Sequence, residues 1–191
     1  MCARYYLDRD IYSAIGMAAG PIAPKEQYAG DVRPSERPPV IIGKEKPAIS
    51  REIAWGYPGF GGKGLLINAR SESIEEKSLF RNGILHNRCL LPASGFYEWD
   101  GDKNKVRFFL PGRKPLFLAG CFDVFQGERR FVIITTAAKE PVIQVHGRMP
   151  LLVSTDDVDD WLFTGRFHEL LAAGMPDLES YREYEQLSLD L

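Results

Sequence analysis

The sequence predicts an α+β fold: a mostly antiparallel, barrel-like β-sheet core flanked by helices. Three observations carry that expectation. Strand-like runs crowd the second half of the chain, in "RCLLPASGFYEW", "VRFFL", "PLFLAGCFDVF" and "RRFVIITTAA", with "DGDKN" and "LPGRKP" as hairpin-type turns between them. Helical patterning is confined to short stretches, the clearest of them toward the two ends of the chain. A length of 191 residues with 45% hydrophobic content suits one domain, here taken as residues 2–191, with a core of its own.

Taken in order, "CARYYL" alternates small and large residues and reads as a short strand. Asp8 or Asp10 is placed to cap a helix over Ile11 to Ala19, which Gly20 and Pro21 stop. Proline and charge dominate from Pro21 to Pro47, an extended, loop-rich segment with a strand at Val40 to Ile42. "EIAWGYPGF" suggests a strand ending in a turn, "GGKG" a flexible loop, and "LLINARSES" a further extended run. "SIEEKSLFRNG" then reads as a helix closed by Gly83. At the tail, Ser154 caps "TDDVDDWLF" and a second helix covers Phe167 to Ala173. There is no internal repeat.

Bulk properties exclude several classes. The net charge of −2 carries no electrostatic footprint for nucleic acid, so any such site must be a local groove of arginines. No apolar run approaches the length of a membrane span. The stretch from Ile11 to Ala19 is broken by Ser13 and Gly16 and follows the charged "LDRD", unlike a signal peptide. A cytoplasmic protein with no membrane partner is expected. Cys2, Cys89 and Cys121 are odd in number, and the three histidines are scattered singly. Neither a disulfide framework nor a bound metal or other cofactor is expected.

Chemistry is suggested by a repeated spacing. Residues two apart on a strand share a face, and three extended segments pair a reactive group with an arginine: Cys2 with Arg4, Asn68 with Arg70, His146 with Arg148. Glu98 sits in a fourth such segment, between Tyr97 and Trp99. Loss of Met1 would leave Cys2 with an α-amine and a thiol on adjacent carbons, titrating near about 8 and about 8.5. That pair can attack one aldehyde twice. Each residue also has a plain reading. Cys2 can be a small buried hydrophobe, Glu98 a solvent-facing strand residue and His146 a backbone-bonded turn residue. Asn68 can stabilise a bend, and the arginines can form surface ion pairs of little weight.

In combination, "MCARY", "WGYPGF", "LINARSES", "RCLLPASGFYEW" and "VHGRMPLLV" resemble, in order, the SRAP family, the SOS-response-associated peptidases whose members shield abasic sites in single-stranded DNA. The likeness runs from Cys2 to about Trp161. It implies that the mature terminal Cys2 forms a thiazolidine with the ring-opened aldehyde of an abasic site. It assigns proton transfer to Glu98, orientation of the amine or the sugar oxygen to Asn68, and proton exchange to His146, which could also assist crosslink reversal or strand cleavage by elimination. Arg4, Arg70 and Arg148 match positions that hold phosphates, work that suits guanidinium forks. The implied partner is single-stranded DNA containing abasic sites, met by a monomer.

Three departures from the family pattern stand out. A glycine-rich "PGFGGKG" replaces a bulky aromatic loop, leaving Phe60 and Lys63 as its partial substitutes for wedging against bases. Ala3 stands where glycine is common. "DVRP" places Asp31 where an asparagine is usual, unfavourable near phosphates unless Arg33 offsets it. Two other readings stay open on sequence: a thiol peptidase using Cys2 and His146, and a non-covalent strand- or protein-binding module.

Overall fold

The computed structural model describes residues 2–23, 27–43, 45–171 and 177–182. Among the described residues, sixteen short strands and four α-helices follow one another. The strands are β1 (Tyr5–Leu7), β2 (Gly30–Val32), β3 (Pro39–Ile42), β4 (Ile49–Glu52), β5 (Ala54–Trp55), β6 (Tyr57–Pro58), β7 (Leu65–Leu66) and β8 (Asn68–Arg70). After them come β9 (Arg88–Ala93), β10 (Gly95–Trp99), β11 (Lys105–Phe109), β12 (Leu116–Phe125), β13 (Glu128–Ala137), β14 (Arg148–Pro150), β15 (Leu152–Val153) and β16 (Glu179–Arg182). The helices are α1 (Tyr12–Ala19), α2 (Ser78–His86), α3 (Val158–Phe163) and α4 (Phe167–Leu171).

The mixed, mostly antiparallel architecture is as expected, but the sheets do not close into a barrel. One sheet runs β16-β11-β10-β1-β2, a second follows β14-β13-β12-β9-β3-β4, and β6 pairs with β7 alone. The second sheet also takes β15 on β12, and β5 and β8 on β13, the last two in parallel. Among the described residues the end strands β14 and β4 of the second sheet do not pair, so it stays open; within it, β12 and β13 part company. They pair from Phe125 and Glu128 back to Gly120 and Ile133. Beyond that point Leu151 lies between them, its N–H donating to Ile134 O at 2.9 Å while its carbonyl accepts from Ala119 N at 2.8 Å. β14 and β15 fill the gap so formed.

Gly120 sits where the strands begin to part. A Cβ there would lie 2.6 Å from Leu91 Cδ2 and 3.0 Å from both Cys89 Sγ and Val132 O, so the approach of three strands needs a residue without a side chain. The core on either side is aromatic and aliphatic. Trp55 lies between Tyr5, at 5.6 Å, and Phe131, at 6.0 Å between ring centroids.

Local readings fared unevenly. Arg9–Ile11 is a 3₁₀ turn leading into α1, and neither Asp8 nor Asp10 caps it through its side chain. Helix α2 begins at Ser78, later than expected, and Gly83 lies inside it rather than at its end. Its missing side chain lets α2 approach Tyr57 OH and Cys121 Sγ, which a Cβ would meet at 3.0 and 3.1 Å. Ser154 does act as a cap, its Oγ accepting from Asp157 N at 3.3 Å. α4 ends at Leu171 among the described residues, and the expected continuation to Ala173 lies outside them. All three cysteines are free and buried, and no described helix is long and apolar enough to cross a membrane.

Candidate active site

Four of the residues singled out on sequence gather where the two large sheets meet. Cys2 is fully buried just ahead of β1. The Arg4 carbonyl accepts from Tyr97 N at 3.0 Å, keeping this lead-in segment alongside β10 and next to Glu98. The Cys2 thiol points back at the same carbonyl, 3.8 Å away. From the other sheet, β8 presents Asn68, whose Nδ2 donates to the Cys2 carbonyl oxygen at 3.0 Å. Asn68 Oδ1 is buried with no hydrogen-bond partner among the described residues, an acceptor facing inward with its capacity unused.

Glu98 lies on the interior side of β10 and is 3% exposed, so the solvent-facing reading does not hold. Burial pushes its carboxyl above the ordinary value, and the charge of His146 draws it back. Burial and then the negative charge of Glu98 push the Cys2 thiol far up, keeping it protonated near neutral pH. A charge effect of that kind requires proximity.

His146 arrives from the 3₁₀ turn Val142–Gln144, its N–H donating to Val142 O at 2.9 Å. Its Nδ1 lies 2.9 Å from Arg148 N and 3.0 Å from Arg148 O. The neutral ring accepts the Arg148 N–H at Nδ1, which assigns the hydrogen to Nε2. That bond holds the ring in place beside β14.

Of the three alternating pairs, only Asn68 and Arg70 lie on one strand; Cys2 and Arg4 precede β1, and His146 precedes β14. The arginines also differ from one another. Arg148 is half-buried and forked onto Glu72, at 2.5 Å to Oε1 and 3.0 Å to Oε2, while donating to Thr135 O at 2.6 Å. Arg4 faces Asp31 at 3.6 Å, and its guanidinium lies 5.2 Å from the centre of the Trp99 ring. The cation facing Asp31 is therefore Arg4, not Arg33. Arg70, opposite Thr135 in the sheet, is exposed and makes no ion pair among the described residues.

Phe60 is 82% exposed on the 3₁₀ turn Phe60–Gly62, and Lys63 is exposed beside it. Phe60, Leu66, Asn68, Lys77, Leu79 and Phe80 line one hollow of 520 Å³. An exposed aromatic ring and the half-buried Asn68 therefore share one depression.

This chemistry and topology agree with the sequence likeness. The model of the SOS response associated peptidase (SRAP) family matches residues 1–185. The chain belongs to the SRAP family. Among SRAP relatives, it is 32% identical over 118 residues to the abasic site processing protein YedK of Escherichia coli, covering 58% of this chain and 53% of YedK. It is 34% identical over 106 residues to the abasic site processing protein YoaM of Bacillus subtilis, covering 51% and 47% respectively. The chain thus spans about half the length of the curated relatives it matches. A crystal structure of a protein from Bordetella bronchiseptica superposes with a TM-score of 0.80 at 22% identity, covering 96% of this chain and all of that one, a likeness of fold.

Two residues of this SRAP site escaped sequence reasoning. Glu72 fixes the Arg148 fork, and the fully buried Thr135 meets Arg148 through its carbonyl while its hydroxyl reaches Ala69 O at 3.4 Å. Glu72 stands two residues past Arg70 in "LINARSES", but spacing does not reveal that it turns toward a strand 76 positions away.

Proposed function

We propose that this chain processes abasic sites in single-stranded DNA by forming a covalent thiazolidine through Cys2 once Met1 has been removed. The observation that carries the reading is the placement of Cys2 against Glu98 with its carbonyl held by Asn68. The names of the relatives YedK and YoaM support the same substrate.

In this reading the freed α-amine adds to the aldehyde carbon, and loss of water leaves a Schiff base. The sulfur then adds to the same carbon of the protonated Schiff base and the thiol proton passes to the Glu98 carboxylate, so the sum is aldehyde plus cysteine giving thiazolidine plus water. Glu98, held toward its protonated form by burial, supplies the proton for departing water and recovers one as the ring closes. The unpartnered Asn68 Oδ1 receives an N–H of the amine. His146 serves as the proton-exchanging group, and the intermediate Schiff base also permits strand cleavage by elimination as a side reaction. Arg4, Arg70 and Arg148 border the lesion, with Phe60 and Lys63 as the stacking and phosphate contacts beyond it. The chain acts as a single-domain monomer in the cytoplasm or nucleoid.

A thiol peptidase needs its sulfur as thiolate. Burial and Glu98 oppose that state here, which favours attack by the amine. Intact mass of the protein lacking Met1, before and after incubation with an abasic oligonucleotide, tests the proposal. The expected product is protein plus one oligonucleotide minus one water, absent with intact DNA and absent in Cys2→Ala. A stable adduct of equal yield in Cys2→Ala would reject the mechanism.

A further inference from the structure

Asp31 is the acidic residue paired with Arg4, one of the proposed phosphate contacts, and it is held there by structure. It lies on β2 opposite Tyr6 of β1. The Tyr28 hydroxyl donates to its carbonyl at 3.0 Å, and the Tyr97 hydroxyl hydrogen-bonds its carboxylate. Across from it, Arg4 is fixed by its own backbone bond to Tyr97 and by the Trp99 ring. The 3.6 Å ion pair therefore joins two anchored groups, each with a side chain 30% exposed, rather than two freely moving ones.

A DNA phosphate approaching Arg4 meets that carboxylate. It must share the guanidinium beside a like charge or displace Asp31 altogether, and either course weakens the contact. An intact strand, held only by reversible contacts, bears this cost for its whole stay. A strand bonded to Cys2 does not depend on it once the covalent bond exists. We infer that Asp31 is a specificity-determining residue that holds Arg4 back from phosphate and so keeps intact single strands from sequestering the protein. The inference rests on the strand-binding reading of the site, and its test is separable from that reading.

The test is fluorescence anisotropy of an intact, labelled single-stranded oligonucleotide with the chain lacking Met1, across a salt series. Asp31→Asn should bind about three- to fivefold more tightly at low salt, matching loss of a partly exposed ion pair. Its plot of log affinity against log salt should steepen by about 0.7, one further phosphate neutralised. Tyr97→Phe loosens Asp31 but keeps its charge, and should tighten binding less than Asp31→Asn does. Should Asp31→Asn fail to fold, Asp31→Ser removes the same charge and carries the same expectation. Unchanged or weaker binding by the charge-removed variant overturns the inference, as does equal tightening by Tyr97→Phe. Adduct yield of the parent protein on an abasic strand, measured alongside, reports separately on the covalent reading.

Discussion

Asn68 Nδ2 donates to the carbonyl oxygen of Cys2 at 3.0 Å, joining residues 66 positions apart, one on β8 and one just ahead of β1. The bond holds the start of the chain in position without touching the thiol. That division of labour suits a residue whose amine and sulfur must both remain available.

Replacing Asn68 by alanine should therefore cost the reaction more than the fold. Loss of one such bond is worth about 1 kcal/mol, a fall in Tm of about 2–4 °C for a chain of this size. Misplacement of the reacting carbon should slow adduct formation about 10- to 100-fold. Paired melting and single-turnover crosslinking measurements check both halves.

Glu98 should leave a signature in the pH dependence of stability. Burial raises its carboxyl above the ordinary value of 4.5, so the folded chain binds this proton more tightly than the unfolded one. Its stabilising contribution is complete below that value and is lost as pH rises through the folded pKa. Glu98→Gln should lose less stability than the parent between pH 5 and pH 8 in denaturant titrations. A steeper loss in the variant would contradict the assignment.

Glu72 should act in the opposite sense. The hydrogen bond from Arg148, beside the attraction of its charge, lowers this carboxyl from 4.5 to about 2. The associated stability is present above the ordinary value and is lost as pH falls toward the folded one. Glu72 is 52% exposed, so solvent screening keeps the effect under about 1 kcal/mol. Acid unfolding followed by circular dichroism should show a shallower loss in Glu72→Gln between pH 5 and pH 2.5.

Arg88 should prove irreplaceable by lysine. Its Nε donates to Trp161 O at 2.6 Å, its Nη1 to Ile84 O at 3.0 Å and Leu85 O at 3.2 Å, and its Nη2 to Thr164 O at 2.9 Å. The guanidinium also lies 4.2 Å from the Phe167 ring centre, so one planar cation closes the ends of α2 and α3. An ammonium cannot reproduce that fork. Arg88→Lys should lose about 2–3 kcal/mol, the scale of a charged hydrogen bond removed, read as a fall in Tm or in the denaturant midpoint.

Much of this site was legible because its residues sit in short, dense stretches. The "NAR", "EW" and "HGRMP" segments named Asn68, Glu98 and His146 before any contact was known. Glu98 shows where such reading stops. Its aromatic neighbours Tyr97 and Trp99 fit a surface strand as well as a buried one, and only the covering sheet settles which side it faces. Gly83 misled for a related reason: a glycine that ends a helix and one that admits a neighbouring strand look alike in sequence. Whether the sheet closes was also undetermined, since strand patterning does not say which strands will pair across the chain.

By itself the sequence determined the strand-rich character of this protein, its family, and which side chains are candidates for chemistry, because periodicity and motif are local properties. Only the tertiary structure decided that the Cys2 thiol is held protonated, that Glu98 is interior, and that Arg4 and Arg148 face Asp31 and Glu72. Those outcomes depend on burial and on charges brought together across strands remote in the chain, and such electrostatics follow distance in space rather than order along the backbone.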